Sequence, residues 1–228
     1  FSSDGQTIAS GSDDNSIKLW KRDGSLLGTL EAHRSRVTTV KFSPDGNLIA
    51  SASSDGTIVL WKRDNARKYS MYKNIKAHHA PVWGLSFSPK ENIIASSSLD
   101  GTIKFWNIDG TIAKTIKDNK STFSRIEFSP DGKIIAAATW QNTIKLWNRD
   151  GTLLKTLTGH ESTVWTVGFS PDAHYLISSS DDQKAILWNV KHILNLDFLQ
   201  RACSWAGDYL RTNAEVQEDR RLCDDIGK

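Results

Sequence analysis

Cysteine is nearly absent: Cys203 and Cys223 are the only two in 228 residues. Two thiols make no disulfide framework, and the chain reads as a cytoplasmic protein with reduced thiols. Charge of one sign is also lacking. Lys and Arg number 29 against 26 Asp and Glu, spread along the chain for a net +3, so no strong basic field points to nucleic acid as a partner. No apolar run reaches the ~18 residues of a membrane span, and no signal peptide is visible. The sequence opens in mid-pattern with FSSDGQ and is expected to continue a longer protein. Nothing resembles a Walker loop, a metal cluster or a lone acid–base pair, so neither a cofactor nor a metal is expected. The paired carboxylates of GSDDNS (11–16) and SSDDQK (179–184) are too sparse in ligands for a calcium loop.

What the sequence does contain is a repeat. Phe1, Phe42, Phe87, Phe128 and Phe169 recur in steps of 41, 45, 41 and 41 residues, and Trp20, Trp61, Trp106, Trp147 and Trp188 recur in the same steps. Within one period, RVTTVKF (36–42), NLIASAS (47–53) and TIVLW (57–61) are short and rich in β-branched residues, the signature of strands. SPDG and Asp-Gly pairs separate them as tight turns, and a further turn leads to a fourth strand. A four-stranded unit of this size cannot bury both faces alone; radial stacking does so.

The period, Gly159-His160 before a first strand, the F-S-P-D-G segments and the Trp closing each third strand resemble the WD repeats of β-propellers over residues 1–196. The residue after each Trp departs from the pattern, being Lys or Asn rather than Asp. The resemblance implies an all-β arc of four complete four-stranded blades plus a partial one: 1–33 partial, then 34–77, 78–118, 119–159 and 160–196. Closed propellers of this family commonly have seven blades, so the arc should be open. Its edges would then be an aggregation liability, unless intramolecular contact with further blades upstream covers them.

Three units share a His, Ser, Asp and Trp at constant spacing: His33–Ser53–Asp55–Trp61, His78–Ser98–Asp100–Trp106 and His160–Ser180–Asp182–Trp188. A set present three times is not a catalytic triad, which occurs once per site. The resemblance implies a buried structural chain in which Asp accepts from His, His meets the Ser hydroxyl, and Ser meets the indole. Unit 4 departs from the pattern, with Asn119, Thr139 and Gln141 at the His, Ser and Asp positions. Asn119 and Gln141 could then bond to each other.

By the same resemblance, three positions per unit and one near the channel mouth face a partner from the narrower top of the propeller. Here they include Arg34, Arg36, His79, Leu99, Lys120, Trp140 and Asp181, with Trp83 and Trp165 at the mouth. Aromatic and Arg content of this kind is typical of interface anchors. Two readings of Trp140 stay open, a partner anchor or local packing over the altered turn. The longer second step, between units 2 and 3, comes from a basic insertion within 63–78, read as a tolerated loop on the opposite face.

The tail, 197–228, has a helical period. Its Cys-x-Trp-x3-Tyr-Leu pattern resembles the tails of large bacterial, mainly cyanobacterial, WD-repeat proteins, in which a NACHT-type nucleotide-binding signalling domain commonly precedes the propeller. A non-catalytic scaffold or sensor module binding a protein or peptide through the top face is the expected function. The alternatives are an enzyme with its site in the channel, whose candidate residues read as Trp, Thr and Ser, or a purely structural spacer.

Overall fold

The computed structural model describes residues 1–195; the predicted helical tail and both cysteines lie outside the described residues. Unit 1 comprises β1 (Thr7–Gly11), β2 (Ser16–Lys21) and β3 (Leu26–Glu31). Unit 2 comprises β4 (Val37–Phe42), β5 (Leu48–Ser53), β6 (Thr57–Arg63) and β7 (Tyr69–Lys76). Unit 3 follows with β8 (Val82–Phe87), β9 (Ile93–Ser98), β10 (Thr102–Asn107) and β11 (Ile112–Lys117). Unit 4 has β12 (Phe123–Phe128), β13 (Ile134–Thr139), β14 (Thr143–Asn148) and β15 (Leu153–Thr158). Unit 5 has β16 (Val164–Phe169), β17 (Tyr175–Ser180) and β18 (Ala185–Asn189), then a short helix α1 (190–195).

Each unit is an antiparallel meander in chain order. Units 2, 3 and 4 are four-stranded, and units 1 and 5 three-stranded. Unit 5, expected as a full blade, shows three strands among the described residues, because the chain turns into α1 directly after β18. No described helix is long and apolar enough to cross a membrane.

The turns follow from the residues that occupy them. The turn from second to third strand needs a left-handed residue, which is Gly56 or Gly101 in units 2 and 3 and Asn15, Asn142 or Gln183 in the others. Gly56 has a second reason to be glycine: a Cβ there would lie 2.6 Å from the His78 carbonyl oxygen.

Four apolar layers hold the units together. Ile17, Leu19 and Leu30 of unit 1 pack with Ile49, Val59 and Trp61 of unit 2. The next three layers repeat the pattern around Leu60 and Trp106, Phe105 and Trp147, and Leu146 and Leu176. Each layer therefore joins the plain face of one unit to the tryptophan-bearing face of the next. Fully burying one such aliphatic side chain contributes about 1.5–3 kcal/mol. The second strands of units 2, 3 and 4 are buried almost throughout. Unit 5 has no following unit among the described residues, and Ile177 (53% exposed) and Leu187 (66%) stand open where their counterparts in unit 2, Ala50 and Leu60, are fully buried.

A bulge recurs at one position of the first strands, where the pairing register shifts between Val37 and Thr39, Val82 and Gly84, Phe123 and Ile126, and Val164 and Thr166. Bulges re-aim side chains, and here they set up the candidate site.

Candidate interaction face

The repeated polar chain inside the units differs from the expected one in its serine. In unit 3 the Trp106 indole donates to Ser96 Oγ at 2.9 Å, and Ser96 Oγ meets His78 Nε2 at 2.8 Å. His78 Nδ1 lies 2.9 Å from the Asp100 carboxylate. Unit 5 repeats this with Trp188, Ser178, His160 and Asp182. Unit 2 uses Trp61, Ser51 and His33, but His33 Nδ1 meets Thr57 Oγ1 at 2.9 Å, and Asp55 stands 3.7 Å away.

Ser53, Ser98 and Ser180, the predicted serines, do another job. Each hydroxyl donates to a main-chain carbonyl, of Ser35, Ala80 and Ser162, and accepts the N–H of Asp55, Asp100 or Asp182. The pairing register explains the correction. Trp61 sits opposite Ile49, so Ser51 is two residues along on the same face, whereas Ser53 is four along, about 13 Å away at strand rise.

Burial pushes the His78 imidazole down to about 4, against the pull of Asp100. The ring is therefore neutral near pH 7 and donates its Nδ1 proton to the carboxylate. Burial opposes the Asp100 charge, but bonds from Thr102 and His78 outweigh it and hold the carboxyl below its ordinary range. These groups satisfy one another in a buried turn, as buried polar groups must.

Unit 4 has replaced this chain with apolar packing. Ala137 stands ten residues before Trp147, where the other units carry the network serine. Phe123 replaces the Val37, Val82 or Val164 of the other units and is fully buried. Its ring meets Trp147 edge-on at 5.8 Å, much as the His78 ring meets Trp106 at 6.4 Å. The expected Asn119–Gln141 bond does not form. Gln141 instead accepts from Thr122 N and donates to Thr122 Oγ1, and the Thr139 hydroxyl meets Thr143.

The bulges then divide the units into two kinds. In units 2 and 4 the bulged residue is a small hydroxyl, and it ties each unit to the next: Thr38 donates to the Val82 carbonyl and Ser124 to the Val164 carbonyl. In units 3 and 5 the same position carries Trp83 and Trp165. Between them stands Trp140, from the turn between β13 and β14. The three indoles form a triangle with centroid separations of 6.5 Å (Trp83–Trp140), 6.0 Å (Trp83–Trp165) and 5.8 Å (Trp140–Trp165). Such offset and edge contacts are worth about 0.5–1.5 kcal/mol each beyond area burial.

Trp140 and Trp165 are each 38% exposed. The Arg36 guanidinium sits 4.9 Å over the Trp83 ring while its Nε donates to Ser54. At the other end Trp165 Nε1 donates to Asp181 at 2.6 Å. The structure thus brings together Arg36, Trp83, Trp140, Trp165 and Asp181 from four units. Arg34 and His79 are exposed and offer their main-chain N–H groups to Asp55 and Asp100, and Lys120 N donates to Asp118. Leu99 is half-buried, with its N–H on the Pro81 carbonyl. Among the described residues, no hydrogen bond, ion pair or ring contact joins these four to the indoles.

The family model described as the IFT122 first beta-propeller matches residues 1–202. The chain belongs to this β-propeller family. No curated protein matches it.

On the inner strands of this propeller lie residues that sequence reasoning missed. Thr39, Gly84, Arg125 and Thr166 occupy one position of successive blades, and Lys41, Ser86, Glu127 and Gly168 the position two further on. Arg125 Nη1 donates to Thr39 Oγ1 at 3.2 Å, two blades away. Glu127 accepts the Phe169 N–H at 3.3 Å, and Ser86 Oγ accepts the Phe128 N–H at 3.1 Å. The expected Trp, Thr and Ser lining is therefore incomplete: Lys41, Arg125 and Glu127 add charge. Read as a strand, TFSRIEF alternates like any half-exposed edge, and only the packing of β12 against β8 turns these residues inward. A cavity of about 960 Å³ lies elsewhere, between blades 1 and 2, and is lined by Lys21, Arg63 and Tyr69 among others.

Proposed function

We propose that the propeller face carrying Trp83, Trp140 and Trp165 binds a protein segment, which makes the chain a non-catalytic interaction module. The observation that carries this is the indole triangle. Three large aromatics from three blades meet at one rim, two of them more than a third exposed, flanked by a stacked Arg and a carboxylate. Clustered aromatics with an adjoining Arg are the usual composition of an interface hot spot. Trp140 serves both of its candidate roles, since it packs on its neighbours' rings and leaves a face outward.

The channel-enzyme alternative is weaker. The inner cluster has one carboxylate, Glu127, already engaged by a main-chain N–H, which suits holding a ligand rather than turning one over. We further read the module as the sensing end of a larger, cytoplasmic signalling protein of the bacterial NACHT-linked type; the repeat and tail motifs support that reading.

The test is selection of a phage-displayed random dodecapeptide library on the immobilised chain. Enriched peptides should bind wild type and lose about tenfold or more on Trp140→Ala, with Trp140→Phe retaining part. No enrichment, or enriched peptides indifferent to both Trp140→Ala and Trp165→Ala, would overturn the proposal.

A further inference from the structure

Resting on that docking reading, we infer that the inner rim beside the indoles receives one carboxylate of the bound segment, an Asp or Glu side chain held by Arg125 and Lys41. Both cations are half-buried. Among the described residues, no carboxylate lies within 4 Å of either, and Arg125 makes one hydrogen bond, to Thr39. A guanidinium has five N–H donors in a planar fork suited to a carboxylate, so most of its donors are uncommitted. Lys41 Nζ meets no acceptor among the described residues. Burial lowers the basicity of both groups; Glu127 raises it in each, and Arg125 lowers that of Lys41. The three charges therefore form one cluster.

The charge count selects the ligand. Lys41 and Arg125 against Glu127 leave one uncompensated positive charge on a low-dielectric rim. A single carboxylate neutralises it, whereas a phosphate dianion would overshoot. Two further features fit. Blade 3 carries Gly84 where its neighbours carry Thr39 and Arg125, and β12 passes so close that a Cβ there would meet Ile126 N at 2.7 Å. Blade 3 thus puts no side chain between Arg125 and Thr39, and the guanidinium can span it. The Trp83 Nε1–H of the same blade is buried and meets no acceptor among the described residues. An unpaired buried donor of this kind is costly.

The peptides selected above supply the probe. They should share an Asp or Glu at a fixed distance from their apolar residues. Replacing it by Asn or Gln in the tightest peptide should weaken binding to wild type about tenfold or more. The same change should cost no more than about twofold on Arg125→Gln, because the charge has lost its partner. Lys41→Gln should show the same coupling to a lesser degree. If Arg125→Gln fails to fold, the peptide substitution on wild type decides alone. Peptides that bind through Trp140 but tolerate loss of their acidic residue would overturn this inference and leave the docking reading standing. Tighter binding of a phosphoserine peptide than of its Glu counterpart would overturn the charge count. An absence of binders would remove both.

Discussion

Blades 3 and 4 solve the same packing problem with opposite chemistry. Blade 3 buries a polar chain, Asp100–His78–Ser96–Trp106, in which each group needs the next. Blade 4 keeps the tryptophan, has Ala137 at the serine position, and fills the histidine's place beside the indole with Phe123. In both blades a ring lies at the edge of the tryptophan, and blade 4, which has no histidine there, also has no hydroxyl at the serine position. The blade 4 turn that has Gln141 in place of the aspartate also carries Trp140, which is 38% exposed.

Four experiments would break or sharpen this contrast. The largest effect belongs to Phe123→Ala, which leaves a cavity in a fully buried site and should cost about 3–5 kcal/mol in urea unfolding. A loss below about 1 kcal/mol would show that the ring does not replace the imidazole. Next is pH. His78 is held near 4 in the fold and titrates near 6.5 when unfolded. A depressed pKa means that the stability is fully present above about 6.5 and is lost as pH falls through about 4, amounting to about 3 kcal/mol. Chemical unfolding followed between pH 7 and 4 should show this decline, and His78→Phe combined with Ser96→Ala should flatten it. Third, Ser96→Ala strands the His78 and Trp106 nitrogens and should cost about 1–3 kcal/mol. Smallest, Ser98→Ala removes the turn bonds to the Ala80 carbonyl and the Asp100 N–H and should cost about 0.5–1.5 kcal/mol. A reversed order of the two serines would restore the network first read from spacing.

That misreading shows where the sequence ran out. Both serine positions repeat in units 2, 3 and 5, so spacing alone could not separate Ser96 from Ser98; only the pairing register does. The meander, the turns and the number of units were legible because Phe, Asp-Gly and Trp recur with fixed steps, and each has a local physical reason. Phe123 was illegible because an enlarged apolar residue at an apolar position breaks no pattern. Trp83 and Trp165 were flagged near the mouth, but their contact with Trp140 depends on bulges in two separate strands and on a turn of the blade between them. Arg125 and Lys41 were missed because nothing local marks a strand charge as inward-facing.

The Phe123–Ala137 pair also bears on how the chain reaches its native order. Near-identical units invite swapping, in which a strand from one inserts into the sheet of another. If β12 took the place of β8, the Phe123 ring would crowd the space where His78 already lies against Trp106. If β13 took the place of β9, His78 and Trp106 would face a methyl group where they need a hydroxyl. Blade 4 therefore carries an identity mark within a repetitive chain, and it fits only among its own strands.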